Sequence, residues 1–130
     1  MTTTAYVYAK GNTGEIRLPT GVAIAVKAKS NASTTQKVTI KGHDGEVNLE
    51  FTGDGERNHI FGQETITLKS EAPLAAVFEY AIDGVFTASK GTNAGGPYDI
   101  GNYHILVLVA ENGDDADYND TILEFSWHTK

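Results

Sequence analysis

Hydrophobic residues in this chain recur at every second position over short runs. Val22, Ile24 and Val26 alternate with Ala23, Ala25 and Lys27. Val38 and Ile40 repeat the pattern within Gln36 to Lys41, and Val47, Leu49 and Phe51 follow a turn at His43-Asp44-Gly45. The longest alternation is Leu74, Ala76, Phe78, Tyr80 and Ile82, which Asp83-Gly84 turns into Val85-Phe86-Thr87. A period of two is the signature of strands with one buried face. Thr4 to Lys10 and Gly14 to Leu18 predict a hairpin around Gly11-Asn12-Thr13, so residues 1–13 add an N-terminal strand. Gly53-Asp54-Gly55 reads as a break, Thr65 to Leu68 as a further strand, and Ser89 to Tyr98 as the least structured stretch. Pro19 and Pro73 fall at strand edges, where a missing N–H does little harm. No long stretch has helical period. The pattern predicts an all-β fold, an antiparallel β-sandwich of about eight to ten short strands.

The last two strands frame a different kind of segment. Ile105 to Ala110 is apolar, and Thr121 to Trp127 alternates again. Between them runs Glu111-Asn112-Gly113-Asp114-Asp115-Ala116-Asp117-Tyr118-Asn119-Asp120. Five of these ten side chains are carboxylic acids, with no Lys or Arg among them. Carboxylates this close repel one another unless a positive charge sits between them. Hard oxygen ligands at short spacing suit calcium. Asp115, Asp117 and Asn119 match the first, third and fifth positions of an EF-hand loop. Yet Asp120 stands where the turn Gly belongs, Ser126 where the bidentate Glu belongs, and the flanks read as strands. The loop is therefore a calcium loop of another kind.

Composition narrows the partners. At 130 residues the chain is a single domain with room for its own core. A formal net charge of -7 argues against nucleic acid and anionic membranes. There is no cysteine, hence no disulfide or thiol chemistry. Met1 to Tyr6 lacks the features of a signal peptide, and no apolar run is long enough to insert in a membrane. The chain thus reads as cytoplasmic when synthesised, with export, where it occurs, by a non-Sec route.

With the acidic loop in place, further segments become readable. Gly14-Glu15-Ile16-Arg17-Leu18-Pro19 leads into Val26-Lys27-Ala28-Lys29-Ser30-Asn31-Ala32-Ser33-Thr34-Thr35-Gln36, and the chain ends Trp127-His128-Thr129-Lys130. Together with the loop, these resemble the LecB-type, PA-IIL-like two-calcium bacterial lectins, which bind fucose and mannose. The resemblance runs from residue 14 to residue 130 with the segments in the same order. It implies two calcium ions per subunit, held by Asn31, Glu111, Asp115, Asp117, Asn119 and Asp120, with Asp117 and Asp120 bridging them. It also implies a fifth carboxylate from the chain end of a neighbouring subunit, here that of Lys130, in a homodimer or a dimer of dimers. Lys130 stands where the family has Gly.

The resemblance further implies that sugar hydroxyls complete the calcium coordination, with Asp115 both holding metal and accepting from the sugar. Ala32, Ser33 and Thr34 correspond to the specificity loop, a composition that leans toward mannose. Asn112 stands where the family usually has an acid, and the neighbouring Asp114 offers a carboxylate in compensation. The function so implied is a calcium-dependent lectin for mannose- or fucose-type sugars, not an enzyme.

Two other readings stay open at this level. One is a structural calcium-binding β-domain of a bacterial surface protein, without sugar binding. The other is a glycosidase, which needs two metal-free carboxylates about 5–9 Å apart. Glu79 and Glu124 are unassigned acids, but nothing marks them as a pair. The four histidines are scattered, and Trp127 alternates with Phe125 and Leu123 as a core residue would. Two glycosylation sequons begin at Asn31 and Asn119. Both fall on the implied calcium site and are read as unmodified.

Overall fold

The computed structural model describes residues 5–42, 45–113 and 120–129. Nine strands are present among them, and no helix. In chain order they are β1 (Tyr6–Lys10), β2 (Thr13–Arg17), β3 (Ala23–Gly42), β4 (Asn48–Thr67), β5 (Leu74–Ile82), β6 (Val85–Ala88), β7 (Gly91–Ile100), β8 (Tyr103–Glu111) and β9 (Thr121–His128). All pairings are antiparallel. The hydrogen-bonded path runs β1-β2-β5-β3-β9-β8-β7, with β4 on β3 and β6 on β5.

β3 makes this one path into two layers. Its first half, Ala25 to Ser30, pairs with β9, and its second half, Gln36 to Gly42, pairs with β5. β4 follows it along its length, with register shifts between Ala28 and Gln36. The pair is creased there, and each half belongs to a different layer. The layers close on each other. A Cβ at Gly14 of β2 would lie 2.8 Å from Leu108 Cδ2 of β8. At the far edge Thr92 Oγ1 of β7 donates to the Gly11 carbonyl in the β1–β2 turn at 2.9 Å. The result is a nearly closed antiparallel sandwich, as the alternation predicts.

Between the layers lies the core. Ile24, Val26, Ala28, Val38 and Ile40 of β3 are fully buried, as are Phe78, Leu106, Leu108 and Phe125. Burying the Val, Leu, Ile and Phe side chains among these contributes about 1.5–3 kcal/mol each. Trp127 is also buried, a core residue as its alternation suggests.

Three expectations are corrected. The alternation from Val22 to Lys27 and that from Gln36 to Lys41 are not separate short strands, because Ala23 to Lys27 and Gln36 to Lys41 are parts of the 20-residue β3. Gly53-Asp54-Gly55 does not break the chain, because β4 runs through it for 20 residues. The reason is steric. A Cβ at Gly53 would stand 2.5 Å from Phe61 Cβ, and one at Gly62 would overlap the Phe51 ring. These glycines let the two halves of β4 approach each other across the crease. Ser89 to Tyr98 is not unstructured either. It holds most of β7, paired with β8 through an irregularity between Gly95 and Tyr98.

Candidate functional site

The crease in β3 and the β8–β9 connection meet. Asn31 N–H donates to the Asp120 carbonyl at 3.2 Å, continuing the β3–β9 ladder one step past its last pair, Ser30 with Thr121. Asn112 Nδ2 donates to Thr34 Oγ1 at 3.0 Å. Thr121 Oγ1 donates to Gln36 Oε1 at 2.8 Å, with both residues buried. Gln36 Nε2 in turn donates to the Thr34 carbonyl at 3.1 Å and to its hydroxyl at 3.0 Å. A buried amide anchored this way fixes the backbone around it, because breaking the set leaves polar groups unsatisfied.

At the neck of the acidic connection two carboxylates are oriented by main-chain donors. Asn112 N–H donates to Asp120 Oδ2 at 2.8 Å, and Gly113 N–H to Glu111 Oε2 at 3.0 Å. Glu111 is only 4% exposed. A carboxylate that deep is costly as an anion without positive charge close by. The stem of Lys90 packs on the same neck, where a Cβ at Gly113 would meet its Cγ and Cδ at 2.7 Å. Gly113 has φ +125°, a conformation that a side chain strains. Asn112 is buried, and its Oδ1 has no hydrogen-bond partner among the described residues.

The predicted residues divide as follows. Asn31, Glu111, Asn112, Asp120 and the Ala32-Ser33-Thr34 segment are brought together at the crease. Ser33 and Thr34 are exposed, whereas Ala32 is buried, its N–H donating to Ser30 Oγ at 3.2 Å. Asn31 bonds reciprocally to Asn58 of β4. Its Nδ2 donates to Asn58 Oδ1, and its Oδ1 accepts from Asn58 N–H, both at 2.8 Å. Asp114, Asp115, Asp117, Asn119 and Lys130 lie outside the described residues.

Sequence reasoning missed Gln36, Asn58 and Thr121. Asn58 sits at φ +57° beside Arg57 at φ +62°, in the turn that carries β4 past the crease. Asn tolerates that region better than most residues. A polar Gln36 at an inward position of β3 was the available signal for the buried network.

The donors here are carboxylate, amide and hydroxyl groups, with no histidine or cysteine among them. Such a set matches a hard cation. Among the described residues no three His, Cys, Asp or Glu side chains gather into a group. Glu111 and Asp120 are the two carboxylates that the described part of the site contributes.

The fold has counterparts among solved structures. The high-affinity mannose-binding lectin of Ralstonia solanacearum is 23% identical, with 89% of this chain and 96% of that chain covered at a TM-score of 0.67. The Chromobacterium violaceum lectin CV2L, solved with alpha-methyl-fucoside, is 20% identical, covering 93% and 99% at 0.69. The C-terminal domain of the BC2L-C lectin from Burkholderia cenocepacia is 21% identical, covering 95% and 100% at 0.65. A comparison with curated protein sequences found no match. These likenesses show a shared antiparallel sandwich fold. Residues 16–129 match the family described as fucose-binding lectin II (PA-IIL), and the chain belongs to that family. It is a carbohydrate-binding protein.

Proposed function

We propose that this lectin binds mannose- or fucose-type sugars through two calcium ions held at the crease. The observation that carries the reading is the docking of the acidic connection onto β3, by Asn112 Nδ2 on Thr34 Oγ1 and Asn31 N–H on the Asp120 carbonyl. That docking places carboxylates beside exposed hydroxyls from a segment about eighty positions earlier in the chain.

Glu111, Asp115, Asp117 and Asp120 would hold the ions, with Asn119 and Asn31 completing the set. Four carboxylates balance two divalent cations. Asn31 Oδ1 is already bonded to Asn58 N–H, which favours its main-chain carbonyl as the ligating oxygen. Bound calcium would supply open coordination positions that vicinal sugar hydroxyls fill, making those hydroxyls stronger donors.

The chain's own residues orient the sugar. Asp115 would accept from a ligated hydroxyl. Ser33 and Thr34, both exposed, present hydroxyls along the crease. Thr34 is held in place by Gln36 and Asn112, so its hydroxyl needs little reordering when a ligand arrives. Buried Asn112 acts chiefly as a brace for Thr34, so the acid that meets the sugar in its stead would be Asp114.

A glycan array probed with calcium and again with EDTA tests this. Binding to mannosylated or fucosylated glycans that disappears in EDTA is expected. Equal binding in both, or none in either, overturns the reading.

A further inference from the structure

We propose a second ligand site, for a carboxylate-bearing pyranose, on the outer face of the layer opposite the β8–β9 hairpin. An open cavity of ≈ 820 Å³ lies there between β1, β2, β5 and the end of β3. Register explains its shape. Tyr8 stands opposite Glu15, Glu15 opposite Ala75, and Ala75 opposite Lys41, in one row across four strands. Residues in such a row point to the same face. Inward neighbours Gly14, Ala76 and Ile40 mark that face as the outer one. Ala75 is the small residue in the middle of the row, so the row dips there. Three strand spacings of ~4.8 Å put Tyr8 and Lys41 about 14 Å apart at the backbone, with the dip between them.

The walls differ in chemistry. Tyr8 is 61% exposed, and its flat apolar face can cover the C–H face of a pyranose. Lys10 lies one step further along β1, and Lys41 faces it from the other wall. Neither ammonium makes an ion pair among the described residues, where the pairs are Lys29–Glu124, Lys37–Glu50 and His104–Asp99. Glu15, the acid in the cavity, accepts the Tyr6 hydroxyl at 2.6 Å, and Arg17 lies over the Tyr6 ring. The cavity is thus a local excess of positive charge on a chain of net charge -7. An aromatic platform and an ammonium on one wall, facing a second ammonium across the dip, complement a sugar ring with one negative substituent. Thr13 Oγ1, which donates to the Lys10 carbonyl at 2.9 Å, and the other Glu15 oxygen keep lone pairs that can accept from its hydroxyls. Tyr8, Lys10 and Glu15 precede residue 16, where the family match begins, so this site belongs to this chain and not to the matched region alone. It shares no residue with the crease and needs no metal.

The site is tested by titrating the full chain in EDTA with methyl glucuronide and, separately, methyl glucoside. The readout is the amide shifts of Gly14, Glu15, Lys41, Gly42 and Ala75. EDTA silences the calcium-dependent site, so the outcome is independent of it. Saturable shifts confined to this face are expected, with the glucuronide about fivefold tighter, the worth of two exposed ammonium–carboxylate contacts. The double variant Lys10→Gln, Lys41→Gln is expected to bind both glycosides alike, and Tyr8→Ala to weaken both. Absence of shifts on this face, equal affinity for the two glycosides in the parent, or discrimination that survives in the double variant overturns the proposal.

Discussion

Asn112 and Thr34 are joined by a single hydrogen bond, Nδ2 to Oγ1 at 3.0 Å, across 78 positions of sequence. That bond ties the start of the acidic connection to the crease in β3. Replacing Asn112 with Ala removes a donor from a buried position and is expected to cost about 1 kcal/mol of stability. It is also expected to weaken sugar binding by loosening Thr34. Urea denaturation and calorimetric titration with methyl mannoside check the two effects. An unchanged midpoint together with unchanged affinity would contradict the role of the brace.

Gln36 is expected to matter more for stability than any exposed residue of the site. Its amide, itself fully buried, joins buried Thr121 Oγ1 to the part-buried Thr34 carbonyl and hydroxyl in one set. Gln36→Leu keeps the volume and strands those partners, at about 1–3 kcal/mol for each group left unsatisfied. Thr121→Val alone is expected to cost less, because Gln36 keeps its bonds to Thr34. Midpoints from chemical denaturation rank the two variants. A Gln36→Leu protein as stable as the parent would show that the network does not hold the crease.

Gly62→Ala tests the close approach of the two halves of β4. The added methyl would overlap the Phe51 ring. Overpacking of this kind costs about 1–3 kcal/mol. Gly84→Ala is the control for steric space, since nothing lies within 4 Å of a Cβ there. Its penalty is confined to the positive φ of +80°. A larger drop in melting temperature for Gly62→Ala than for Gly84→Ala is expected, and the reverse order would contradict the packing.

Calcium is expected to stabilise the protein through linkage. A ligand that binds only the folded chain, at about 100 times its Kd, adds about 2.7 kcal/mol. The melting temperature is therefore expected to rise with calcium and to fall back with EDTA. Asp117→Ala, which removes the proposed shared ligand of the two ions, is expected to abolish most of the rise. A full calcium response in that variant would place the ions elsewhere.

Much of this was legible in the residues, for reasons that particular elements make clear. The β1–β2 hairpin, the long alternation of β5 and the β8–β9 pair read correctly because each has one face in the core and one in water. β3 and β4 were harder. Around Ser30 to Thr35 the chain crosses from one layer to the other, and the buried positions there are Ser30, Ala32 and Gln36, polar or small rather than large and apolar, so the apolar period lapses and one strand reads as two. Gly53 and Gly55 look like punctuation, yet Gly53 is there to let Phe61 pass. β7 failed for a similar reason, since a Cβ at Gly96 would stand 2.8 Å from the Ile105 carbonyl oxygen. In the site, the acids and the Asn31 to Thr34 segment were visible as motifs. Their bracing by Gln36, Thr121 and Asn58 was not, because one strand's sequence does not say which residue lies across the ladder.

The most direct measurement is calorimetric titration of methyl mannoside and methyl fucoside into the protein with calcium, after EDTA, and after calcium is restored. Saturable heat that vanishes with chelation and returns with the metal is the expected result. Heat that persists unchanged in EDTA, or no heat in calcium for either glycoside, would contradict a sugar site built on metal ions at the crease.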